Sequence, residues 1–475
     1  MNSPAIEQAF CCQREWRATD RTKRANVLRA IAKAIAECRS LILATASSET
    51  SLTESELAPE FARMTRTLEM FAALIENDHW TRPAISPAET DASKAIGPNH
   101  DVRSMLIPLR GVVIVFGASN FPLAYGVCGG DTASALAAGC PVVVKEHPAH
   151  RNTGRLLAQI ARDAIKSSGL DPDLLGYVED DGTDTAGLAR SLVEHPNAAA
   201  VGFTGSTTIG TTLIKIANAR PIPIPVFAEM GSVNPNIIFP GALASRSGEI
   251  AKQLAASIAA RHGQQCTCPG IVLVPSNDRT FADTLEAELA KNPPRRMLSP
   301  NVQSSYEKAV AKVSKAVGEN VATHTAPDQT PPIILKAPTK AGLSLPEILE
   351  TEMFGPAAIV VSGTMADSRS AIEKLPGSLT ISVWFDHSDR ETLDALLPDL
   401  ADRAGRIIFN GVPTGVRVAE GMVHGGPWPA TNRPESTAVG PRAIERWCRP
   451  VCYQNAPRTS LPRELGGVGA NPRAC

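Results

Sequence analysis

The sequence predicts an α/β protein with a doubly wound parallel sheet, followed by a second α/β section. Apolar, β-branched runs at residues 111–116 and 141–145 flank a segment of small, helix-compatible residues, 124–138, which ends at Gly139. A strand, a helix and a strand within about 35 residues form a βαβ unit, whose two strands must be parallel. The 475 residues also exceed the roughly 250 at which one core usually divides, so two or three domains are expected.

The N-terminal region is predicted to be helical. Leu28, Ile31, Ala32 and Ile35 recur at the spacing of an apolar helix face, and Thr19 or Asp20 is a candidate cap for the start of that helix. Residues 77–108 are rich in Pro, Asp, Asn and Ser and lack periodicity. They are predicted to form an irregular connection or an extended arm.

The later elements follow in chain order. Residues 152–166 and 198–203 are predicted to form a helix and a strand that continue the first sheet. In the second section, residues 250–261 and 304–317 are predicted helices, and the predicted strands are residues 226–230, 236–239, 271–275, 357–361 and 380–385. From about residue 455 the chain is rich in Pro, Gly and Arg, which predicts a surface arm or a frayed tail.

Composition excludes several classes of function. The formal net charge is −1, so no global electrostatic attraction to nucleic acid or to an anionic membrane is expected. No run approaches the roughly 18 apolar residues of a membrane span, and residues 1–7 lack the pattern of a signal peptide. The ten cysteines show no paired metal-binding motif, so we expect reduced thiols, no metal site and a cytoplasmic protein.

A glycine-rich segment at residues 205–210 follows a predicted strand and opens a predicted helix. Backbone N–H groups and the helix dipole at such a junction can hold a phosphate. The segment is not a GxGxxG motif, and an ordinary strand-to-helix turn is the alternative interpretation.

Cys266 lies between a predicted helix and a predicted strand, where a thiol can be exposed enough to act as a nucleophile. The alternative is a small buried cysteine that only packs. His262, four residues earlier, is a candidate partner for the thiol. Gly263 is expected to end the helix between them, which argues against that pair.

Two further polar residues follow predicted strands. Glu229 is flanked by apolar residues, which makes it a candidate general base or, alternatively, a solvated loop residue. Asn120 follows the first strand of the βαβ unit, where its amide can donate to a developing oxyanion or simply serve a turn.

Together these motifs resemble the aldehyde dehydrogenase superfamily over nearly the whole chain. The resemblance rests on six segments in the family's order: 118–122 (ASNFP), 144–145 (VK), 203–210 (FTGSTTIG), 229–231 (EMG), 263–267 (GQQCT) and 352–356 (EMFGP). The chain is most similar to the α-ketoglutarate semialdehyde (2,5-dioxovalerate) dehydrogenase branch. That finer resemblance rests on residues 116–124, 129–141, 410–415, 424–431 and 449–454.

The resemblance implies a fold with a Rossmann-like cofactor domain, an α/β catalytic domain and a small oligomerisation arm. It places the cofactor domain at residues 1–90 and 110–230, the catalytic domain at 231–435, and the arm with the C-terminal segment at 91–109 and 436–475. An unpaired edge strand is a liability, so the arm implies a homodimer or homotetramer.

The resemblance also implies residue roles. Cys266 would attack the aldehyde, Asn120 would hold the oxyanion of the thiohemiacetal, and Glu229 would activate water to hydrolyse the thioester. The implied cofactor residues are Ser119, Lys145, Pro148, Arg151, Gly205, Ser206, Gly210, Glu352 and Phe354. Cys268 has no implied role beyond packing.

Cofactor choice depends on the position three residues after Lys145. Family members that prefer NAD usually carry a glutamate there, and this chain has Pro148, so NADP is favoured, with NAD still accepted. Arg151 is the strongest candidate for meeting the 2′-phosphate. Glu146 would oppose NADP if its carboxylate turned toward the ribose.

The predicted reaction is oxidation of 2,5-dioxovalerate to 2-oxoglutarate. A substrate with a terminal carboxylate needs a cation or several donors, for which Arg261 and Arg417 are candidates. Alternatives are another semialdehyde, a medium- or long-chain aliphatic aldehyde, or an enzyme that transfers the acyl group to coenzyme A or phosphate. Glu229 argues against such transfer. A catalytically silent binding protein is the alternative of another class.

Overall fold

The computed structural model describes residues 3–275, 278, 280–319, 321–324, 326, 328–337 and 345–467. Helices α1 to α14 span, in chain order, Pro4–Ala18, Arg21–Glu37, Arg39–Glu49, Glu54–Ile75, Gly130–Ala138, Arg151–Ser167, Thr185–Glu194, Thr207–Asn218, Pro240–Ala259, Phe281–Leu289, Pro300–Val317, Pro346–Leu349, Met365–Lys374 and Arg390–Ala401. Strands β1 to β14 span Ala84–Ser86, Val102–Pro108, Val112–Phe116, Val142–Lys145, Leu175–Val178, Ala198–Thr204, Val226–Glu229, Asn236–Ile238, Ile271–Pro275, Ile333–Ala337, Ala357–Gly363, Ser378–Trp384, Ala404–Phe409 and Cys448–Gln454.

The first sheet confirms the predicted doubly wound architecture. Its strands are parallel and lie in the order β5-β4-β3-β6-β7. Alternate residues of β3 point to opposite faces, where Val113 packs with helices α2 to α6 and Ile114 with α1, α7 and α8. Every residue of β3 is buried, which is why its sequence is continuously apolar.

A second parallel sheet carries the other half of the chain, in the order β10-β11-β9-β8-β12-β13. Helices α9 and α10 pack on one face, around Leu254 and Phe281. Helices α11, α13 and α14 cover the opposite face, around Tyr306 and Leu393. The segment between α9 and β9 carries Cys266, so this sheet positions the predicted nucleophile.

Two predicted helices have different boundaries in the structure. The helix expected at 124–138 begins at Gly130, because residues 122–129 form tight turns in which a Cβ on Gly126 would lie 1.9 Å from the Pro122 carbonyl oxygen. The helix expected at 250–261 is α9, which begins ten residues earlier and is kinked at Arg246 (φ −153°). The kink interrupts the periodicity that would have revealed the first part of α9.

The predicted irregular arm contains a regular strand. Strand β2 pairs antiparallel with β1 and with β14 of the same chain, which forms a three-stranded sheet. The expectation of a frayed tail is wrong for residues 455–467, because Leu461 and Leu465 are buried against Met105 of β2. Residues 468–475 of that expected tail lie outside the described residues.

The predicted cap and apolar face of α2 are confirmed, whereas two other elements were not predicted. Asp20 caps α2 by accepting a 2.8 Å hydrogen bond from the Thr22 N–H, and Leu28, Ile31 and Ile35 of that helix are buried. Strand β5 and helix α7 were not predicted, since a four-residue strand carries too little pattern. All cysteines in the described ranges are free thiols. In the same ranges, no helix is both long and apolar enough to cross a membrane.

A buried carboxylate links α9 to the second sheet. Asp389 accepts hydrogen bonds from the N–H groups of Gly241 (2.8 Å) and Ala242 (3.0 Å) in the first turn of α9. We expect Asp389→Ala to reduce the free energy of unfolding by about 1–2 kcal/mol, the usual effect of losing a helix cap. Urea unfolding measures the loss.

The matched control is Asp394→Ala, which removes an exposed carboxylate paired with Arg390 on α14. An exposed pair contributes less than about 1 kcal/mol, so this variant should unfold close to the native chain. Equal effects from the two substitutions would contradict the role assigned to Asp389.

Candidate active site

Parallel pairing places the predicted site residues along one edge of the first sheet. Asn120 follows β3, Lys145 ends β4, Gly205 follows β6 and Glu229 ends β7. Because the carboxyl ends of parallel strands lie at the same edge, residues more than one hundred positions apart in sequence line a single cleft. Asn120, Lys145 and Glu229 are each less than 10% exposed.

The loop that carries Cys266 is held by two amides. Asn234, fully buried and in a left-handed conformation (φ 46°), donates its amide to the carbonyls of Cys266 (2.7 Å) and Cys268 (3.0 Å). Asn120 donates to the Gln264 carbonyl at 3.0 Å, which ties the first sheet to this loop. Asn234 was not predicted from the sequence, because its role depends on a loop more than thirty residues away.

Close backbone contacts explain two glycines at the site. Gly263 has φ +69°, and a Cβ there would lie 2.0 Å from the Gly355 carbonyl oxygen. A Cβ on Gly231 would lie 2.4 Å from a carboxylate oxygen of Glu352. The segments around residues 231, 263 and 355 therefore pack at distances that no side chain permits.

Cys266 lies against two groups from distant parts of the chain. Its Sγ is 3.8 Å from His424 Nε2, and the same nitrogen is 2.9 Å from Glu229 Oε1. The ligand-type atoms of the three residues all lie within 4.8 Å of one another. His424 was not predicted as a site residue. Residues 424–431 were used only as one of the segments that resemble the α-ketoglutarate semialdehyde dehydrogenase branch.

Glu229 is a buried carboxylate whose oxygens accept no hydrogen bond from the described residues. It makes the 2.9 Å ion-pair contact with His424, although the angle does not suit a hydrogen bond. The free oxygens of this carboxylate can accept a hydrogen bond from a water molecule in the site, which is the contact that a general base must make. The expectation of a desolvated acid rather than a solvated loop residue is met at this position.

The pKa of the Cys266 thiol is raised well above its usual value. Burial is the largest cause, and the negative charges of Glu229 and Glu352 act in the same direction. The Arg63 guanidinium opposes them. This thiol therefore needs a proton acceptor to become a nucleophile at neutral pH.

The predicted partner of Cys266 is replaced by another histidine. His262 is buried with φ 55° just before Gly263, and burial together with Arg295 lowers the pKa of its imidazole to about 4. Cys268 is buried, and burial raises the pKa of its thiol to about 12, which fits a packing role.

The glycine-rich segment forms a helix start. The Ser206 hydroxyl caps α8 by accepting from the Ile209 N–H at 3.4 Å, and Gly205 and Ser206 are exposed. A Cβ on Gly210 would lie 2.6 Å from the Met230 sulfur, so this glycine lets α8 pack closely beside β7. An exposed helix start that follows a parallel strand suits a phosphate group.

Two buried ion pairs lie at the end of β4. Lys145 Nζ is 2.5 Å from Asp180 Oδ2, and both side chains are almost fully buried. Glu146, also buried, contacts Arg151 (3.3 Å) and Arg155 (3.7 Å) and accepts a hydrogen bond from the Tyr177 hydroxyl. Asp180 was missed because it follows the unpredicted strand β5.

These residues fit a nicotinamide dinucleotide, which the resemblance implies. Lys145 and Asp180 offer a donor and an acceptor to ribose hydroxyls, and the start of α8 offers its N–H groups to a pyrophosphate. Glu352 and Phe354 lie partly exposed beside the loop of Cys266, and Ser119 lies partly exposed after β3. Pro148 is exposed and Arg151 partly exposed, next to the Lys145 pair.

The two arginines predicted as substrate residues have other surroundings. Arg261 pairs with the buried Glu60 at 2.6 Å and stacks over the Phe121 ring at 4.2 Å. Arg417 is exposed. The arginines whose charges interact with Cys266 are instead Arg63 and Arg406, which the sequence did not single out.

The model of the aldehyde dehydrogenase family matches residues 3–426 of the chain. The α-ketoglutaric semialdehyde dehydrogenase 2 of Azospirillum brasilense is 40% identical over 459 residues, which cover 95% of this chain and 86% of that relative. The α-ketoglutaric semialdehyde dehydrogenase of Acinetobacter baylyi is 38% identical over 469 residues, which cover 97% and 88%.

The fold is also similar to a solved structure. Glyceraldehyde-3-phosphate dehydrogenase GapN from Methanocaldococcus jannaschii, complexed with NADP, superposes with a TM-score of 0.78 at 19% identity. The match covers 95% of this chain and 93% of that structure. At this identity the similarity concerns the fold, and it agrees with the predicted α/β architecture.

Although Glu352 as a residue is partly exposed, its carboxylate is enclosed by protein atoms, and this desolvation raises its pKa to about 7. In the unfolded chain this carboxyl ionises near 4.5, so between about pH 4.5 and 7 the folded protein holds a proton that the unfolded chain has lost. Stability should therefore fall as pH rises through this window. We expect Glu352→Gln to remove the part of this decrease in stability that Glu352 causes, which melting temperatures across a pH series would measure. If the melting temperatures of the two proteins change in parallel with pH, the prediction is wrong.

Proposed function

The chain belongs to the aldehyde dehydrogenase family, and from that premise we propose that it oxidises α-ketoglutaric semialdehyde (2,5-dioxovalerate) to 2-oxoglutarate. The NAD(P)-dependent aldehyde dehydrogenase activity follows from the family, so the alternative of a silent binding protein is wrong. The substrate proposal is carried by one observation, the 38–40% identity over nearly the whole chain to two relatives of that name.

We propose the following roles for the residues of the cleft. The Cys266 thiolate attacks the aldehyde carbon, and the Asn120 amide and the Cys266 backbone N–H donate to the oxyanion of the thiohemiacetal. A nicotinamide cofactor held by Lys145, Asp180 and the start of α8 would supply the acceptor for the hydride. Glu229 then takes a proton from water, which attacks the thioester on Cys266 and releases the acid. A base at this position favours hydrolysis over transfer of the acyl group to coenzyme A or phosphate.

The proposal extends to the domains of the chain, its subunit contacts and its location. We assign cofactor binding to residues 1–90 and 110–230, catalysis to 231–435, and subunit contacts to 91–109 with 436–475. The sheet formed by β1, β2 and β14 leaves edge strands that a second copy would cover, which supports a homodimer or homotetramer. The mechanism requires Cys266 as a free thiol, which suits a reducing cytoplasm.

Two arginines near Cys266 support a substrate with a distal carboxylate. Arg63 donates to the Tyr125 hydroxyl at 3.1 Å, and its charge interacts with Cys266 and Glu229. Arg406 donates to the carbonyls of Pro413 and Gly415, and its charge interacts with Cys266. The hydrogen-bond partners that the described residues give these guanidinium groups are a neutral hydroxyl and main-chain carbonyls, so each retains its charge for an anionic ligand.

The arginines give the substrate proposal a direct test. We expect Arg63→Gln or Arg406→Gln to reduce kcat/KM for α-ketoglutaric semialdehyde by about tenfold to a hundredfold, the cost of losing a charge-assisted contact. Hexanal, which lacks the carboxylate, should be affected much less. Arg417→Gln, an exposed change, is the control. If the native enzyme oxidises hexanal far more efficiently than the semialdehyde, the substrate proposal is wrong.

The roles of Cys266 and Glu229 predict different kinetic failures. Cys266→Ser should abolish activity, because a serine hydroxyl is a poor nucleophile without a strong base. Glu229→Gln should release a burst of reduced cofactor followed by very slow turnover, because acylation precedes the step that needs the base. Stopped-flow absorbance of the reduced cofactor measures both.

The matched control is Cys268→Ser, two residues from the nucleophile and buried. It should keep dehydrogenase activity. Loss of activity in this variant, together with an active Cys266→Ser, would show that Cys268 and not Cys266 is the nucleophile. Normal steady-state turnover in Glu229→Gln would remove Glu229 from the deacylation step.

For the cofactor, we propose a preference for NADP with NAD accepted. No carboxylate stands at Pro148, and the charge of Glu146 is shared with Arg151 and Arg155. Asp180 is a buried carboxylate paired with Lys145 at this end of β4, and its charge would oppose a 2′-phosphate.

Asp180→Asn should therefore increase the ratio of kcat/KM for NADP to that for NAD by up to about tenfold, or about 1.4 kcal/mol. The amide can still accept the hydrogen bonds from Gly182 and Thr185. Asp181→Asn, an exposed neighbour, is the control. A tenfold preference of the native enzyme for NAD would contradict the NADP proposal.

A further inference from the structure

His424 lies in the loop between β13 and β14 and reaches the nucleophile from outside both parallel sheets. Its side chain is 1% exposed. The backbone on both sides is held, because the His424 N–H donates to the Thr437 hydroxyl (2.9 Å) and the Ala438 N–H donates to the His424 carbonyl (2.9 Å). A side chain fixed in this way presents its ring in one position.

One ring nitrogen makes both polar contacts. Nε2 lies within hydrogen-bonding reach of the Cys266 sulfur, at 3.8 Å, and in ion-pair contact with Glu229 Oε1, at 2.9 Å. Nδ1 is buried without a hydrogen-bond partner in the described part of the chain. The imidazole therefore stands between a thiol that needs a proton acceptor and a carboxylate that compensates a positive charge.

We propose that His424 is the base that converts Cys266 to its thiolate. This inference rests on the proposed role of Cys266 as the nucleophile. The S–H bond breaks, its electron pair stays on sulfur, and the proton forms a bond with Nε2. The resulting imidazolium lies beside the Glu229 carboxylate, so a thiolate, an imidazolium and a carboxylate balance one another in a buried site. When the thioester is hydrolysed, the sulfur leaves as thiolate and the proton returns to it from Nε2.

Several charged or titratable groups surround the cluster formed by Cys266, His424 and Glu229. Glu229 and Glu352 oppose the thiolate, whereas Arg63 and Arg406 favour it. The Tyr125 ring lies 6.4 Å from the His424 ring, and burial holds the pKa of its phenol above its usual value, so Tyr125 stays neutral. Among the described side chains, the His424 ring nitrogen lies within hydrogen-bonding reach of the Cys266 sulfur, so it is placed to receive the thiol proton.

The experiment measures thiolate formation directly. The full-length protein is alkylated with iodoacetamide across a pH series, and modification of the peptide containing Cys266 is quantified by mass spectrometry. We expect His424→Gln to shift the rise of the alkylation rate to higher pH and to lower the rate at neutral pH by about tenfold or more. The exposed Cys11 on α1 serves as an internal reference whose rate should not change. An unshifted Cys266 profile would overturn the proposal.

A matched histidine controls for loss of a buried imidazole. His262→Gln alters a buried histidine four residues from Cys266 whose Nε2 has no hydrogen-bond partner among the described residues, and the alkylation profile of Cys266 in this variant should match that of the native protein. If His424→Gln fails to fold, His424→Ala is tested with imidazole added to the buffer. Recovery of Cys266 alkylation that follows the concentration of neutral imidazole supports the proposal, and no recovery in a folded variant contradicts it.

Pre-steady-state kinetics separate this inference from the proposed function. His424→Gln should slow the burst of reduced cofactor itself by about a hundredfold, the usual contribution of a general base. Glu229→Gln should keep a full burst and slow the turnover that follows. A native burst rate in His424→Gln would overturn the role of His424 and leave the roles of Cys266 and Glu229 intact. An active Cys266→Ser would remove the proposed function together with this inference.

Discussion

Parallel strand pairing in the first sheet is the constraint on which the site depends. Because β3, β4, β6 and β7 run in one direction, the segments that follow them must meet at one edge. That edge collects an amide, an ammonium group, a helix start and a carboxylate from residues 120 to 229. The helices on both faces bury the strands, so the edge is where polar side chains can gather without disturbing the core.

The second sheet completes the site through close contacts rather than through new strands. Gly263 against Gly355, and Gly231 against Glu352, bring backbone and side chain closer than a Cβ would allow. Asn234 fixes the carbonyls of Cys266 and Cys268, and Asn120 reaches across from the first sheet to the Gln264 carbonyl. The thiol is thus positioned by hydrogen bonds to its own backbone, which leaves its sulfur free to react.

Buried charge is arranged differently at the two ends of the cleft. Near Lys145 each charge has a partner, Asp180 for the lysine and two arginines for Glu146. Around Cys266 the balance is less complete, because Glu229 contacts the His424 ring but accepts no hydrogen bond from the described residues, and Arg63 donates to a neutral hydroxyl. Fully paired charges shape a binding surface, whereas buried charges with incomplete hydrogen bonding can still bind a proton, water or an anionic substrate.

Local patterns were sufficient for four of the five strands of the first sheet, for the cap at Asp20 and for the candidates Cys266, Glu229 and Asn120, because apolar periodicity and residue chemistry are contained in short segments. Sequence alone missed the role of His424, and it missed Asp180, Arg63 and Asn234, whose functions depend on interactions with residues between 32 and 203 positions away. Sequence left a surface arm and a frayed tail as alternatives from about residue 455, and only the structure shows that Leu461 and Leu465 are buried against Met105 of β2. A segment determines its own backbone preference, but only the packed chain decides which distant charge, proton acceptor or apolar surface each side chain meets.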